Sequence, residues 1–394
     1  GLPGVSGDEG QVRAFIADKM QNLCDELVTD SIGNLICLKK GTDEKPKRLM
    51  VCAHMDEVGL ICSRITDDGF IKFKCVGGID TRVLVSKKVR IGRRLISGVI
   101  GAKAIHLQEK EEREQVPKVT DLYIDIGAKD KAEAETHVSV GDYCVFDSEF
   151  VEFGSGFIKA KALDDRLGCA CLMSLAEERF AFDLYLVFTV QEEVGLRGAR
   201  VAAERIRPDA AIVLEGTTCS DVYGTDEKDY STISGGGAAL SILDRGTYYD
   251  KELTNALYAT AKQHEIPVQF KQTASGGNDF HLRFACVSLR LDFILSLKIA
   301  DRTDHIEVFV GPDTVEIDSV VIHFILDACT VALTAHGTGS EADGNTGGIA
   351  VAKSVIASDG YSGQIALISV GCGTGGETVC FTERAVQVYP EVCT

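Results

Sequence analysis

The stretch around which the fold is organised reads Leu186-Val187-Phe188-Thr189-Val190-Gln191-Glu192-Glu193-Val194-Gly195. Its first part is apolar, β-branched and aromatic, which predicts a fully buried strand. The strand ends in two adjacent carboxylates, which are costly there unless a metal ion or a catalytic role neutralises them. A helix cap or a solvated turn is the alternative explanation for Glu192 and Glu193. Ligands bind at the carboxyl ends of strands in open α/β sheets, so the stretch predicts a functional site at this end.

Length and composition indicate a globular protein with more than one domain. The chain has 394 residues, which is too long for one ordinary core. Its hydrophobic fraction of 45% and charged fraction of 25% are typical of soluble proteins. The net charge of −18 argues against nucleic acid and anionic membranes as partners. No apolar stretch approaches membrane-spanning length, and the first nine residues lack the features of a signal peptide.

Cysteine usage indicates the redox environment. The 14 cysteines are scattered, mostly within apolar runs, and show no paired CxxC spacing. A chain of this size does not need a disulfide framework to fold. The sequence therefore predicts reduced thiols and a cytoplasmic location.

The order of the predicted elements divides the chain into three parts. Residues 1–64 and 153–335 alternate strands with helices, which predicts an α/β domain with a mixed, mostly parallel sheet flanked by helices. Residues 65–152 carry short alternating segments between glycine-containing and charged turns, which predicts an inserted small all-β domain. Residues 336–394 are rich in Gly, Ser and Thr and are predicted to form a loosely attached extension.

Side chains that commonly bind metals follow several of the predicted strands. They are His54, Asp56, Asp164, Glu192, Glu193 and Glu215. Because the carboxyl ends of parallel strands lie along one edge of a sheet, these groups can converge. Imidazole and carboxylates without thiolate suit Zn²⁺ or a related ion such as Co²⁺ or Mn²⁺, and so many acids suggest two ions sharing a bridging carboxylate. A single histidine after a strand is more often packed or hydrogen-bonded, so the prediction depends on the coincidence of several strand ends.

Four segments resemble, in order, the metal motifs of the cytosolic di-metal aminopeptidases, in particular the tetrahedral, deblocking and glutamyl aminopeptidase-like branch. They are Ala53-His54-Met55-Asp56-Glu57-Val58-Gly59, Lys161-Ala162-Leu163-Asp164-Asp165-Arg166-Leu167-Gly168, Val190-Gln191-Glu192-Glu193-Val194-Gly195 and Val213-Leu214-Glu215-Gly216-Thr217-Thr218. Residues 3–7, 30–35 and 125–128 are similar to that family as well, and the likeness runs to about Asp279. The resemblance implies a zinc-peptidase-like fold with two zinc or cobalt ions.

The resemblance also implies a set of metal ligands. One ion would be held by His54 and Glu215, and the other by Glu193 and a later histidine. Asp164 would bridge both ions, and a cis peptide would join it to Asp165. These assignments are carried over from the family and not worked out from spacing.

Further roles follow from the same resemblance. Glu192 would be the general base, taking a proton from water held by the metal and passing it to the leaving amine. Asp56 would hold the His54 ring in one orientation and tautomer. The inserted β-domain would cap the site and support assembly of a tetrahedral dodecamer.

The sequence departs from the family pattern where the last histidine ligand is expected. After Gly276-Gly277-Asn278-Asp279 the chain continues Phe280-His281-Leu282-Arg283-Phe284, without the family's lead into a histidine and Ser-Pro. His305 lies at nearly the family distance and is the expected ligand, with His281 as the alternative. His323 lies in an apolar segment typical of a core helix.

These observations predict a metallo-aminopeptidase that acts on peptides as a homo-oligomer, without nucleic acid or membrane partners. A related di-metal N-acyl amino acid deacylase or carboxypeptidase is the first alternative. A catalytically weak assembly or binding protein is the second, because the final histidine motif is atypical. A glycosidase that uses Glu192 and Glu193 is disfavoured, since neighbouring strand residues point to opposite faces.

Overall fold

The computed structural model describes residues 1–154, residues 157–273 and Asp279, and beyond them the backbone of five short strands. The helices are α1 (Gly10–Met20), α2 (Lys110–Arg113), α3 (Lys131–His137), α4 (Leu163–Leu175), α5 (Arg197–Ile206) and α6 (Lys251–Gln263). The strands are β1 (Glu26–Thr29), β2 (Leu35–Lys39), β3 (Arg48–His54), β4 (Gly59–Ile65), β5 (Ile71–Val76), β6 (Lys88–Ile91), β7 (Ile96–Gly101), β8 (Tyr123–Asp125), β9 (Tyr143–Phe146), β10 (Val151–Phe153), β11 (Phe157–Lys159), β12 (Asp183–Thr189), β13 (Ala210–Val213), β14 (Ala238–Ser241) and β15 (Val268–Lys271). The five further strands are β16 (Lys298–Ile299), β17 (His305–Val310), β18 (Asp313–Asp318), β19 (Ile349–Ala350) and β20 (Gly371–Cys372).

The central sheet has the strand order β1-β2-β12-β3-β13. Strand β3 pairs in parallel with β12 and β13, whereas the β1–β2 and β2–β12 pairings are antiparallel. Among the described strands the sheet is mixed, as predicted, but with two parallel and two antiparallel pairings it is not mostly parallel. The β1–β2 pair is antiparallel because of the tight turn between these strands, where Asp30 Oδ1 accepts bonds from the backbone N–H groups of Ile32, Gly33 and Asn34. Such a turn returns the chain in the opposite direction.

Apolar clusters cover both faces of the central sheet. Successive residues of β3 point to opposite faces, so Val51 and Ala53 join one cluster while Met50 and Cys52 join the other. Residues of α1 and α4 belong to the first cluster, and small residues of α5 belong to the second. Because both faces are covered, β3 and β12 consist mostly of buried residues, as their continuous apolar runs predicted.

A closed six-stranded barrel is formed by the part of the chain that follows β3. Its strand order is β4-β5-β8-β7-β6-β9, and its interior is a separate apolar cluster that includes Leu60, Phe73 and Ile124. Five of the six barrel strands lie within residues 65–152, where an inserted all-β domain was predicted, but α2 and α3 lie there as well. The predicted boundary after residue 64 falls inside β4, which belongs to the barrel because it pairs with β5 and β9.

One pair of cysteines corrects the prediction of reduced thiols. Cys24, which follows α1, is disulfide-bonded to Cys37 in β2, with the two Cα atoms 5.8 Å apart. Sequence spacing gave no sign of this pair. The two residues meet because Cys24 lies just before β1, which pairs with β2. Five other cysteines in the described ranges, Cys52, Cys62, Cys75, Cys144 and Cys169, are free thiols.

The C-terminal predictions lie almost entirely outside the described residues. Of the extension predicted for residues 336–394, the structure describes only the paired strands β19 and β20. His281 and His323 also fall outside the description. No helix within the described ranges has both the length and the apolar character needed to cross a membrane.

Candidate metal centre

His54 occupies the middle of a group of carboxylates at the carboxyl end of the sheet. It is the last residue of β3 and is buried. Its Nε2 atom lies 3.3 Å from Asp164 Oδ1 and 3.5 Å from Glu215 Oε1. Asp164 lies at the start of α4, which packs against β3, and Glu215 follows β13, which pairs with β3. The structure thus brings together three side chains that are far apart in sequence.

Asp56 lies on the other side of the His54 ring. His54 Nδ1 is 3.1 Å from the Asp56 backbone carbonyl oxygen and 3.5 Å from the Asp56 Oδ1 atom. The Asp56 carboxylate also accepts bonds from the backbone N–H groups of Glu192, at 3.0 Å, and Glu193, at 3.2 Å. Burial raises the pKa of Asp56, but bonds to His54 and these donors outweigh it and leave the pKa lowered. Asp56 therefore remains an anion that links His54 to the Glu192–Glu193 turn.

The turn after β12 presents the two adjacent glutamates. Gln191 has a φ of 56°, a left-handed conformation that is uncommon for a residue other than glycine. Glu192, whose side chain is buried, and Glu193 follow directly. Ligand atoms of His54, Glu192 and Glu193 all lie within 4.8 Å of one another. The turn therefore directs both carboxylates toward the imidazole.

The start of α4 supplies a second carboxylate beside Asp164. The Asp164–Asp165 peptide bond is cis, as in the family that the sequence resembles. Asp165 is buried, and its Oδ1 atom accepts a bond from the backbone N–H of Gly168 at 3.0 Å. Ligand atoms of His54, Asp165 and Glu215 lie within 4.8 Å of one another. Sequence reasoning singled out only Asp164, although the adjacency of Asp165 in the same motif was a visible signal.

The electrostatics of the cluster favour an added cation. Burial raises the pKa of Glu192 to about 10, and Glu215 adds to the effect. Burial and neighbouring carboxylates also raise the pKa values of Glu215 and Asp165 well above their ordinary range. Burial lowers the pKa of His54, but Glu215 and other carboxylates outweigh it, so the pKa lies well above its usual value. A divalent cation would stabilise the ionised carboxylates that the buried site otherwise disfavours.

The donor atoms fit a divalent metal centre. The buried Oδ2 atom of Asp165 and the buried Oε2 atom of Glu215 have no hydrogen-bond partner among the described residues. Buried oxygen atoms without a partner are costly, and a cation would compensate for that cost. One imidazole with several carboxylates is a ligand set that suits zinc and related ions.

Asp279 is a buried carboxylate near this cluster to which sequence reasoning gave no role. It accepts a hydrogen bond from the hydroxyl of Thr189, whose backbone is in register with His54. Burial raises the pKa of Asp279 to about 6. Its position at the end of the last resembling segment was the signal that could have identified it.

The described side chains do not include the last predicted histidine ligand. His305 begins β17, where its backbone pairs with Asp318, but its side chain is outside the description. The alternative ligand, His281, is outside it as well. Six residues of the predicted set therefore lie together, namely His54, Asp56, Asp164, Glu192, Glu193 and Glu215. The position of the last histidine ligand is not described.

A buried imidazole among carboxylates at the strand ends of an α/β sheet is an arrangement typical of metal-dependent hydrolases. Comparison with known families is more specific, because a family described as M42 glutamyl aminopeptidase matches residues 33–283. The chain belongs to this family. The resemblance that the sequence motifs indicated is confirmed.

Individual relatives agree with this assignment. The chain is 31% identical to the lysyl aminopeptidase of Pyrococcus furiosus, over 68% of this chain and 77% of the relative. It is also 31% identical to the glutamyl aminopeptidase of Lactococcus lactis, over 71% and 80%. The solved TET1 peptidase of Pyrococcus horikoshii superposes with a TM-score of 0.62 at 32% identity, covering 71% of this chain and 83% of that one. The chain is an aminopeptidase, a hydrolase that removes N-terminal residues from peptides.

The raised carboxyl pKa values predict that metal binding depends on pH. Without metal, the raised pKa values of Glu192 and Glu215 mean that protons occupy the site at neutral pH. A cation must displace them, so affinity for Co²⁺ should rise between about pH 6 and pH 8, with protons released on binding. Calorimetry in buffers of different ionisation enthalpy measures both quantities. Affinity that is independent of pH, with no proton release, would contradict this electrostatic account.

Proposed function

We propose that this aminopeptidase works with two divalent ions bound at the carboxyl end of its sheet. His54 and Glu215 would hold one ion, Glu193 and His305 the other, and Asp164 would bridge them. The proposal rests above all on the buried His54 Nε2 atom, which lies 3.3 Å from Asp164 and 3.5 Å from Glu215. Bound ions supply Lewis acidity toward the scissile carbonyl and toward water. Zinc or cobalt fits the imidazole and carboxylate donors best, with manganese as the alternative.

Glu192 is the proposed general base. Its carboxylate is buried and close to both His54 and Glu193. Burial raises its pKa, and nearby cations would lower that value again toward the neutral range. A carboxyl group with a pKa in that range can take a proton from the attacking water and give it to the leaving amine. Asp56 supports this chemistry by holding the His54 ring and accepting the two backbone N–H bonds from the Glu192–Glu193 turn.

The substrate is proposed to be a peptide with a free α-amino group. The surplus of buried carboxylates favours a cationic amine over the neutral N-acyl group that a deacylase would accept. The two named relatives differ in the side chain that they remove, lysyl in one case and glutamyl in the other. A substrate panel with N-terminal lysine, glutamate and leucine therefore decides the preference of this chain.

Replacing the general base tests the mechanism. We expect Glu192→Gln to lower kcat on aminoacyl anilides by about 10²–10⁴-fold, because proton transfer is lost while the side-chain volume is kept. Bound metal, measured by elemental analysis, should be unchanged. The wild-type protein should leave N-acyl amino acids intact in the same assay.

A matched variant serves as the control. Glu204, on α5, is exposed, and within the described part of the chain its one ion pair is with Arg207 at 3.5 Å. Glu204→Gln should keep full activity, since exposed ion pairs contribute little. Full activity of Glu192→Gln would refute the assigned role, and cleavage of N-acyl amino acids in preference to anilides would instead support the deacylase.

The two candidate histidines can be separated by metal content. If His305 is a ligand of the second ion, His305→Ala should bind about one ion per chain where the wild-type protein binds about two. His281→Ala should then retain both ions. The reverse result would assign the second ion to His281, and two ions in both variants would exclude both histidines.

We propose that the barrel is a domain inserted into the catalytic domain, where it caps the site and supports assembly. We also propose that the protein is located in the cytoplasm. Several apolar side chains on or near the barrel are exposed, among them Val99, Ile105 and Leu107. The solved relative is described as assembling into a tetrahedron or a large octahedral shell. The free thiols of Cys52, Cys62, Cys75, Cys144 and Cys169 support a reducing compartment, whereas the Cys24–Cys37 disulfide argues against one.

The oligomeric state is directly measurable. We expect light scattering coupled to size exclusion to give a mass of twelve chains, the tetrahedral assembly that the family resemblance implies, with exposed apolar side chains such as Ile105 and Leu107 covered by neighbouring subunits. Replacing Ile105 and Leu107 together with aspartate should shift the mass to a smaller species. A monomeric wild-type protein would refute the assembly proposal without affecting the metal site.

A further inference from the structure

Residues 4–9, called here the N-terminal segment, lie against the chain that follows His54. Val5 forms a parallel bridge with Glu57, and Ser6 N donates to the Glu57 carbonyl at 3.3 Å. Glu57 N donates to the Gly4 carbonyl at 3.1 Å, and Gly4 N donates to the Glu57 carboxylate at 3.0 Å. Backbone bonds therefore fix this segment beside the strand end that carries His54.

Ser6 connects the N-terminal segment to Asp56. The Ser6 side chain is buried, and its hydroxyl donates to Asp56 Oδ2 at 2.6 Å. The Glu193 backbone N–H reaches the same oxygen at the longer distance of 3.2 Å, and the Glu192 N–H reaches Oδ1. The Ser6 hydroxyl is thus the closest hydrogen-bond donor to the carboxylate that faces His54 Nδ1.

Glu9 connects the same segment to the second loop of the site. Glu9 is buried, and its Oε1 atom accepts bonds from Gly7 N at 2.6 Å and from Gln191 N at 3.3 Å. Gln191 is the residue with the left-handed φ of 56° that precedes Glu192. A conformation of this kind persists where the surroundings hold it, and the Glu9 carboxylate supplies one such contact.

We propose that the N-terminal segment is a positioning element of the metal centre, in which Ser6 orients Asp56 and Glu9 holds the turn that carries Glu192 and Glu193. The inference rests on the proposed two-metal function, since it assigns these side chains an effect on metal binding. It also gives a role to the opening motif, residues 3–7, which the chemistry of the site left unexplained.

The two contacts originate from one short segment, so they set the position of two loops relative to each other. One loop follows β3 and carries Asp56, and the other follows β12 and carries Glu192. Without the Ser6 hydroxyl, Asp56 Oδ2 would keep only its long bond to the Glu193 N–H. The carboxylate could then rotate, and His54 Nδ1 would keep the Asp56 backbone carbonyl but lose the fixed carboxylate oxygen at 3.5 Å that also orients the ring.

Removing the Ser6 hydroxyl is the first test. We expect Ser6→Ala to weaken Co²⁺ affinity about tenfold, within the range found when groups that support metal ligands are removed. The variant should lower kcat with little change in KM, and Ser6→Thr, which keeps the hydroxyl, should restore part of the affinity. Ser174→Ala is the matched control, because among the described residues the Ser174 hydroxyl, on α4, donates to the Ala170 carbonyl of its own helix, at 3.3 Å.

A double-mutant cycle separates positioning from general destabilisation. If Ser6 acts through Asp56, Ser6→Ala should cause no further loss of Co²⁺ affinity in an Asp56→Asn background. Equal losses in both backgrounds, or affinity within twofold of the wild type for Ser6→Ala, would overturn the proposal for Ser6. Because metal affinity is measured without substrate, a protein that binds Co²⁺ but cleaves no peptide would reject the proposed function alone.

Hydrogen exchange tests the contribution of Glu9. Glu9→Ala should remove protection of the backbone amides of Gln191 and Glu192, while amides of the barrel strands keep theirs. Glu204→Ala, on the surface of α5, should leave the exchange of both amides unchanged. Unaltered protection at Gln191 in Glu9→Ala would show that Glu9 does not hold the turn.

Discussion

The parallel pairing of β3 with β12 and β13 is the constraint on which the site depends. Its register sets Thr189 opposite His54 and Val213 opposite Cys52, so the three strands end at the same edge of the sheet. His54 and Asp164, which are 110 positions apart in the chain, meet there. A shift of one residue in this pairing would turn the side chains of β12 to the opposite face and separate the glutamates from the imidazole.

Burial of the apolar core stabilises the sheet against the repulsion between the carboxylates at its edge. Full burial of a valine, leucine or phenylalanine contributes about 1.5–3 kcal/mol, and β3 and β12 carry several such residues with helices on both faces. That rigidity allows buried carboxylates to stay close together when their mutual repulsion would otherwise spread them. The raised pKa values of Glu192 and Glu215 reflect first their burial and then the neighbouring carboxylates, and a bound cation would offset both effects.

The sequence identified those site residues that stand in a recognisable local pattern. Apolar runs followed by metal-type residues identified His54, Glu192 and Glu215 because each follows a buried strand. Asp279 was missed, since its role depends on a contact with Thr189 that no local pattern shows. The Cys24–Cys37 bond was missed for the same reason, because it depends on the pairing of β1 with β2. The last histidine ligand could not be assigned from the sequence, because the segment that should contain it departs from the family pattern.

The barrel is inserted into the chain close to the residues of the metal centre. The chain enters β4 only a few residues after His54 and Asp56, so the barrel cannot lie far from the metal centre. Gly77, at the end of β5, approaches so closely that a Cβ atom added there would lie 3.3 Å from the Glu193 Cβ and 2.8 Å from a Val58 methyl group. Its φ of 85° also favours glycine at this position. Because residue 77 is glycine, the loop after β5 can lie against the Cβ atom of Glu193, so the barrel packs beside a proposed metal ligand.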